Sequence, residues 1–136
     1  MTRAMALSCC LLAAATPARA AEASEAAALQ AAEAWLKLID TGQYGASWDG
    51  ASSSFRKAVS RSTWEKKAAA AREPLGKVLE RKVSSQELTH ELPGAPDGTY
   101  VVLIFDTRFE HKERGHETVI MTLDGGRFRA ASYFIR

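Results

Sequence analysis

Cysteine is almost missing from this chain. Its two thiols, Cys9 and Cys10, stand side by side within the first twenty of 136 residues, in a stretch that reads as a cleavable leader. Arg3 supplies a positive start, residues 6–15 an apolar run, and Ala18-Arg19-Ala20 the small residues a signal peptidase inspects, which places the cut between Ala20 and Ala21. So little chain precedes Cys9 and Cys10 that the run is taken as an ordinary signal core rather than a lipidation site. The product, residues 21–136, then has no cysteine, which excludes disulfides, thiolate metal sites and cysteine nucleophiles. Its stability has to come from packing.

An excess of charge of one sign is missing too. The whole chain has 18 Lys plus Arg against 16 Asp plus Glu, a formal +2. Arg3 and Arg19 leave with the leader and no acidic residue does, so 16 basic face 16 acidic residues and the net charge is zero. That removes the electrostatic case for nucleic acid or an anionic membrane as partner. Long apolar runs are also absent. Beyond the leader none approaches the roughly 20 residues of a membrane helix, so no transmembrane segment is expected and the exported product is assigned to the periplasm or the medium. The signatures GxGxxG, P-loop, GxSxG and HExxH are missing as well, and no cofactor or metal is expected.

What remains is 116 of the 136 residues, enough for one domain with one core. Residues 22–40 are rich in alanine, with Leu29, Ala32, Leu36 and Ile39 in one helical stripe, and Gly42 provides a stop. Tyr44 and Trp48, four apart, share a side of a short helical turn. Ser52 to Ser54 offer caps for a short helix through Val59, and Ser62-Thr63-Trp64-Glu65 fits a capping box for a helix to Arg72, ended by Pro74 and Gly76.

The period then changes. Residues 78–92 lean to β structure, the turn-rich 93–98 follows, and residues 100–110 alternate, with Val101, Leu103, Phe105, Thr107 and Phe109 on one face. Residues 116–123 and 127–135 complete four strands, joined through Asp124-Gly125-Gly126. Short connections predict an antiparallel meander. The fold class is α+β, N-terminal helices packed on a curved four-stranded sheet.

Several residues in that order carry a resemblance: Ala32-Glu33-Ala34-Trp35, Gly42-x-Tyr44-x-x-Ser47-Trp48, residues 55–59, Trp64, Pro74-Leu75-Gly76, the run from Leu92 to Tyr100, Phe105-x-Thr107-x-Phe109 and Tyr133-Phe134-Ile135. Together they resemble the bacterial domain of unknown function 4019 family, over nearly the whole product. The resemblance implies small exported proteins with a fold similar to the nuclear transport factor 2-like (cystatin-like) cone, and no established activity. That cone also occurs in isomerases, dehydratases and pure binding domains, so fold analogy does not choose among them.

A cone can leave an apolar pocket between helix and sheet. Trp35, Tyr44, Trp48, Phe55, Trp64 and Tyr133 are the rings placed to line it, although a small domain without disulfides needs such rings simply to fill its core. Asp40 joins the pocket candidates, because a carboxylate among rings has a raised pKa and shuttles protons. Its place before Thr41-Gly42 argues more simply for a turn in which Asp bonds local backbone, and Asp49 before Gly50 has the same ambiguity. His111 and His116 flank residues 112–115, read as a solvated hairpin tip rather than a metal site. The expectation is a non-enzymatic binding or interaction module for a small apolar ligand or a protein partner, with a homodimer through the open sheet face as a further option. The alternative is a small isomerase- or dehydratase-like enzyme with Asp40 or Asp49 as base and Tyr44 or Tyr133 as hydrogen-bond donor.

Overall fold

The helix that opens the fold is longer than the stripe of residues 22–40 foretold. A computed structural model describes residue 14 and residues 16–136, so Arg3, Cys9, Cys10 and most of the apolar run on which the leader reading rests lie outside the described residues. Helix α1 spans Pro17–Asp40, with Thr16 accepting from the Arg19 amide and a proline in the first turn, where its missing N–H costs nothing. No helix breaker separates residues 17–21 from the alanine-rich stretch, so the helix runs back through Ala20 and Ala21. Ala28, Ala32, Trp35, Leu36 and Ile39 form its buried stripe.

Three short helices follow: α2 (Tyr44–Asp49), α3 (Ser53–Ala58) and α4 (Arg61–Arg72). Ser52 caps α3 by accepting from the Phe55 amide at 3.1 Å. The capping box expected at Ser62 does not form. Ser60 caps α4 instead, its hydroxyl accepting from Thr63 N at 3.3 Å, and Glu65 turns outward to pair with Arg61 at 2.9 Å. The helix starts two residues earlier than the Ser-x-x-Glu pattern implied, because Ser60 is free to take extended geometry after α3 while Ser62 is already helical. A single 3₁₀ turn, Glu73–Leu75, ends the helical half.

Strands β1 (Val78–Thr89), β2 (Tyr100–Phe109), β3 (Lys112–Asp124) and β4 (Arg127–Ile135) form one antiparallel sheet in the order β1-β2-β3-β4. Each strand pair carries a register shift, and such bulges bend and twist a sheet. The β3–β4 turn has Gly125 at φ 62° and Gly126 at φ 81°, the two positive dihedrals a tight primed turn demands. At the other end the expected hairpin tip at residues 112–115 is already strand. The β2–β3 turn lies at Glu110 and His111, and His116 stands opposite Asp106 rather than His111.

Helix α1 packs against all four strands. The predicted inner face of β2 is buried at all five positions, from Val101 to Phe109. It meets Val119 and Met121 of β3 and Ala130 of β4, together with Trp35, Phe55, Trp64 and Ala68 from the helices. The helical half is therefore stapled across one face of the meander.

Candidate functional site

The inner face of the sheet is not wholly apolar. Continuing the alternation of β3 back from Met121 and Val119 brings Glu117 onto the core side, and its side chain is 0% exposed. A buried carboxylate is tolerated only when hydrogen-bonded and paired, and Glu117 is both. Thr107 donates to Oε1 at 2.5 Å, Arg81 donates from Nε to Oε1 at 2.8 Å, and the Tyr133 hydroxyl donates to Oε2. Cross-strand pairing brings these together, since Arg81 stands opposite Thr107 on β1–β2, with Glu117 and Tyr133 on β3 and β4.

From Arg81 the charges continue. Its Nη1 reaches Asp40 Oδ2 at 2.7 Å, and Arg72 Nη2 reaches Asp40 Oδ1 at 2.8 Å. Arg72, from the end of α4, is 4% exposed and lies 5.0 Å over the Phe109 ring. The result is an alternating chain, Arg72–Asp40–Arg81–Glu117, that ties the ends of α1 and α4 to β1 and β3. Breaking such a chain by removing one member typically costs about 3–5 kcal/mol, because a buried charge is left unpaired.

These contacts decide the protonation states. Burial alone would raise the Asp40 pKa, but hydrogen bonds and charge from Arg81, then Arg72, outweigh it and hold the carboxyl below its ordinary 3.8. Burial likewise opposes the Arg81 cation, and its bonds to Asp40 and Glu117 reverse that, raising its pKa further. Burial, then the Glu117 charge, pushes the Tyr133 hydroxyl upward, so it remains a donor. Both expectations for Asp40 are thereby corrected. It is not a carboxyl of raised pKa, because two guanidiniums face it, and it does not bond its local backbone. That capping task falls to Thr41, whose hydroxyl donates to the Lys37 carbonyl at 2.8 Å.

The other ring candidates divide. Trp35, Phe55 and Trp64 are buried, with Trp35 edge-on to Phe55 and Tyr133 and stacked on Trp64 at 6.1 Å between centroids. The indole N–H groups of Trp35 and Trp64 donate to the Ser47 carbonyl and hydroxyl. These rings fill the interior. Trp48 is half-buried, donating to the Val59 carbonyl at 2.8 Å. Asp49 is largely exposed and engaged by Arg61.

Open space lies at the margins of the domain. A groove of about 760 Å³ runs between α3, residues 92–96 and the β3–β4 hairpin, lined among others by Phe55, Ala58, Val59, Leu92, Leu123 and Tyr133. Tyr100 pins its loop by donating to the Pro96 carbonyl at 2.6 Å. A second, of about 430 Å³, is lined by charged residues near His116. A third, of about 300 Å³, lies at the end of α1 beside Asp40, Tyr44 and Arg72. Phe55 and Tyr133 thus share one cleft and Asp40 and Tyr44 another, while Trp35, Trp48 and Trp64 line none of the three. Among the described residues no group of three His, Cys, Asp or Glu is placed to hold a metal ion, and no helix is long and apolar enough to cross a membrane.

Arg72, Arg81 and Glu117 were not singled out from the sequence as site residues. Glu117 was within reach, since period-two counting puts it in line with two core positions. Arg72 and Arg81 carried no such signal, because a charged residue in a polar-interrupted helix or strand looks like a solvated one until its neighbours are known.

Fold and site together define a small α+β domain with an open antiparallel sheet, a ring-filled core and a buried ionic chain. The chain belongs to the family described as proteins of unknown function, DUF4019, whose model matches residues 31–133, from the middle of α1 to Tyr133 in the last strand. No curated protein and no solved structure matches it.

Proposed function

We propose that this protein is an exported, non-enzymatic binding module on a cone of the nuclear transport factor 2-like kind, taking a small apolar ligand in the groove beside β4. The observation that carries the reading is the groove itself. Its volume of about 760 Å³ falls within the range of small-molecule sites, and its lining mixes apolar side chains with a few polar groups, as such sites do. Phe55 and Tyr133 supply aromatic wall that is anchored from behind, by Trp35 and by Glu117. Rings held this way lose little freedom on binding. A proton-shuttling enzyme is the weaker reading, because both Asp40 oxygens already accept from arginine and its lowered pKa makes it a poor base at neutral pH.

A fluorescent apolar probe, N-phenyl-1-naphthylamine, tests the groove. Saturable binding is expected, and Ala58→Arg, which places a charge in the groove from an exposed position at the end of α3, should weaken it by at least about tenfold, the worth of roughly 1.4 kcal/mol. Binding unchanged by Ala58→Arg, or no saturable binding, overturns the assignment. Self-association lost on the same substitution would mean that a second copy is the occupant.

A further inference from the structure

The groove beside β4 lies over an edge of the sheet. Consecutive side chains of a strand point to opposite faces, yet Ala131, Ser132 and Tyr133 all line it, with Ile120 from the outer face and Phe55 from the helical side. Space alongside the strand meets all of these at once, and it borders the strand's backbone.

The hydrogen-bond phase of β4 shows which backbone groups are open. His116 and Arg136 exchange both backbone hydrogen bonds at 2.9 Å. In an antiparallel ladder of unbroken register, Thr118–Phe134 and Ile120–Ser132 are then also hydrogen-bonded pairs, and Tyr133 and Ile135 turn their N–H and C=O away from β3. Past the extra residue Ala131 the outward phase falls on Ala130, and there the chain has supplied a partner. The Ser52 amide donates to the Ala130 carbonyl at 2.9 Å, and nothing among the described residues does the same for Tyr133 or Ile135. Pairing along this edge starts and stops, leaving two donors and two acceptors at the two-residue spacing of an extended chain.

The two edges of the sheet differ. Strand β1 carries Glu80, Arg81, Lys82 and Glu87, charges of the kind that discourage strand addition, and its Leu88 amide is taken by Glu25 Oε1 at 3.3 Å. Residues 130–135 of β4 include no charge and no proline. Phe134 is 41% exposed there, a cross-strand neighbour for an added β-branched side chain. The one charged residue in the lining of the groove is Asp124, at the hairpin end, and Ser53 already donates to it twice. A charged side chain on an incoming strand therefore finds little to pair with, whereas an apolar one finds Phe55, Val59 and Ile120.

We propose that the ligand of this groove is a short extended peptide with uncharged, apolar side chains, which adds as a fifth strand to the free edge of β4. The inference rests on the groove as binding site and names the class of its ligand. Main-chain hydrogen bonds to Tyr133 and Ile135 supply affinity, and the groove walls select the side chains, as in strand addition generally.

The test combines amide hydrogen exchange of the ¹⁵N-labelled protein with displacement of N-phenyl-1-naphthylamine, using a blocked five-residue peptide of alternating valine and threonine. At saturation the peptide should displace the dye and slow exchange of the Tyr133 and Ile135 amides by at least about tenfold, because an amide bonded in a ladder exchanges only when it opens. Two analogues are compared, one N-methylated at the threonines and one at the valines. The analogue whose methyl groups face β4 should bind at least about tenfold more weakly, as loss of two backbone hydrogen bonds implies, and the other like the parent. Ile135→Pro removes one outward donor without touching the β3 ladder. It should weaken the peptide about fivefold and leave the dye unaffected, since Ile135 does not line the groove. If that variant does not fold, the methylated peptides carry the test. Dye that stays bound in excess peptide, two analogues both equal to the parent, or unprotected Tyr133 and Ile135 amides overturns the peptide assignment and leaves the groove standing. Dye that never binds, with both amides still protected by peptide, removes the small-molecule reading and supports the edge. Protection that appears without peptide as protein concentration rises makes a second copy the occupant and overturns the proposal.

Discussion

At the scale of single residues, burial separates ion pairs that matter from those that do not. Glu117 and Asp106 are both carboxylates on the sheet, each within 2.8 Å of a basic nitrogen, yet one is fully buried and the other largely exposed. Glu117→Ala leaves Arg81 with a single carboxylate partner and strands the hydroxyls of Thr107 and Tyr133, so unfolding in urea should show a loss of about 3–5 kcal/mol. Asp106→Ala should change the same measurement by less than about 1 kcal/mol. Equal effects would mean that the buried chain is not the anchor described. Asp40 gives the same chain a pH dependence. Its folded pKa lies below the ordinary 3.8, so near that value the unfolded chain binds more protons than the folded one and stability rises with pH. The contribution is complete above the unfolded value and disappears as pH falls through the folded one. The urea midpoint of the native protein should therefore drop between pH 5 and pH 3, and Asp40→Asn, less stable at pH 7, should show a shallower drop. Parallel curves for the two proteins would remove Asp40 as the titrating group. Asp40 could be picked out in the sequence as a residue of interest, but its chemistry could not, because its partners lie 32 and 41 positions away.

At the scale of elements, local patterns were legible where a signal had one meaning. Alternation placed all five inner residues of β2, and the glycine pair after Asp124 placed the last turn. The start of α4 was misplaced because Ser60 and Ser62 both suit a cap, and only the extended backbone at Ser60, ψ 156°, separates them. Mutation should separate them as well. Ser60→Ala removes the acceptor of the Thr63 amide and should cost about 1 kcal/mol, whereas Ser62→Ala, inside the first turn, should be neutral to slightly stabilising, since alanine is the better helix former. Thermal or urea unfolding of the two variants decides it, and a larger loss at Ser62 would restore the capping box. The β2–β3 hairpin was misread for a comparable reason. Residues 112–115 are polar and end in Gly115, which resembles a turn. The glycine is needed there instead because a Cβ would come within 2.8 Å of the Phe109 ring. Close packing and turn geometry leave the same mark in a sequence.

At the scale of the whole molecule, the order of helices then meander follows from composition and short connections, but the filling of the space between them does not. Rings spaced along the helical half are compatible with a hollow interior or a packed one, and only their mutual contacts show that Trp35, Phe55 and Trp64 occupy the space between helices and sheet. The N-terminus poses a related question of what the fold requires. Residues 16–20 are exposed, and the first buried residue of α1 is Ala28. The helical turn ahead of Ala21 therefore adds no core contact, and the ends of helices contribute little unless they are packed. A protein beginning at Ala21 should unfold at the same urea concentration as the full chain, within about 0.5 kcal/mol, as for exposed positions generally. The same protein recovered from the periplasm of a secreting host should have a mass that corresponds to a start at Ala21. A loss above about 1 kcal/mol on truncation would mean that the segment is part of the folded domain, and a recovered protein that still contains residues 1–20 would remove the leader. The zero net charge and absence of thiols that exclude nucleic-acid and thiolate chemistry hold only if that cut is made.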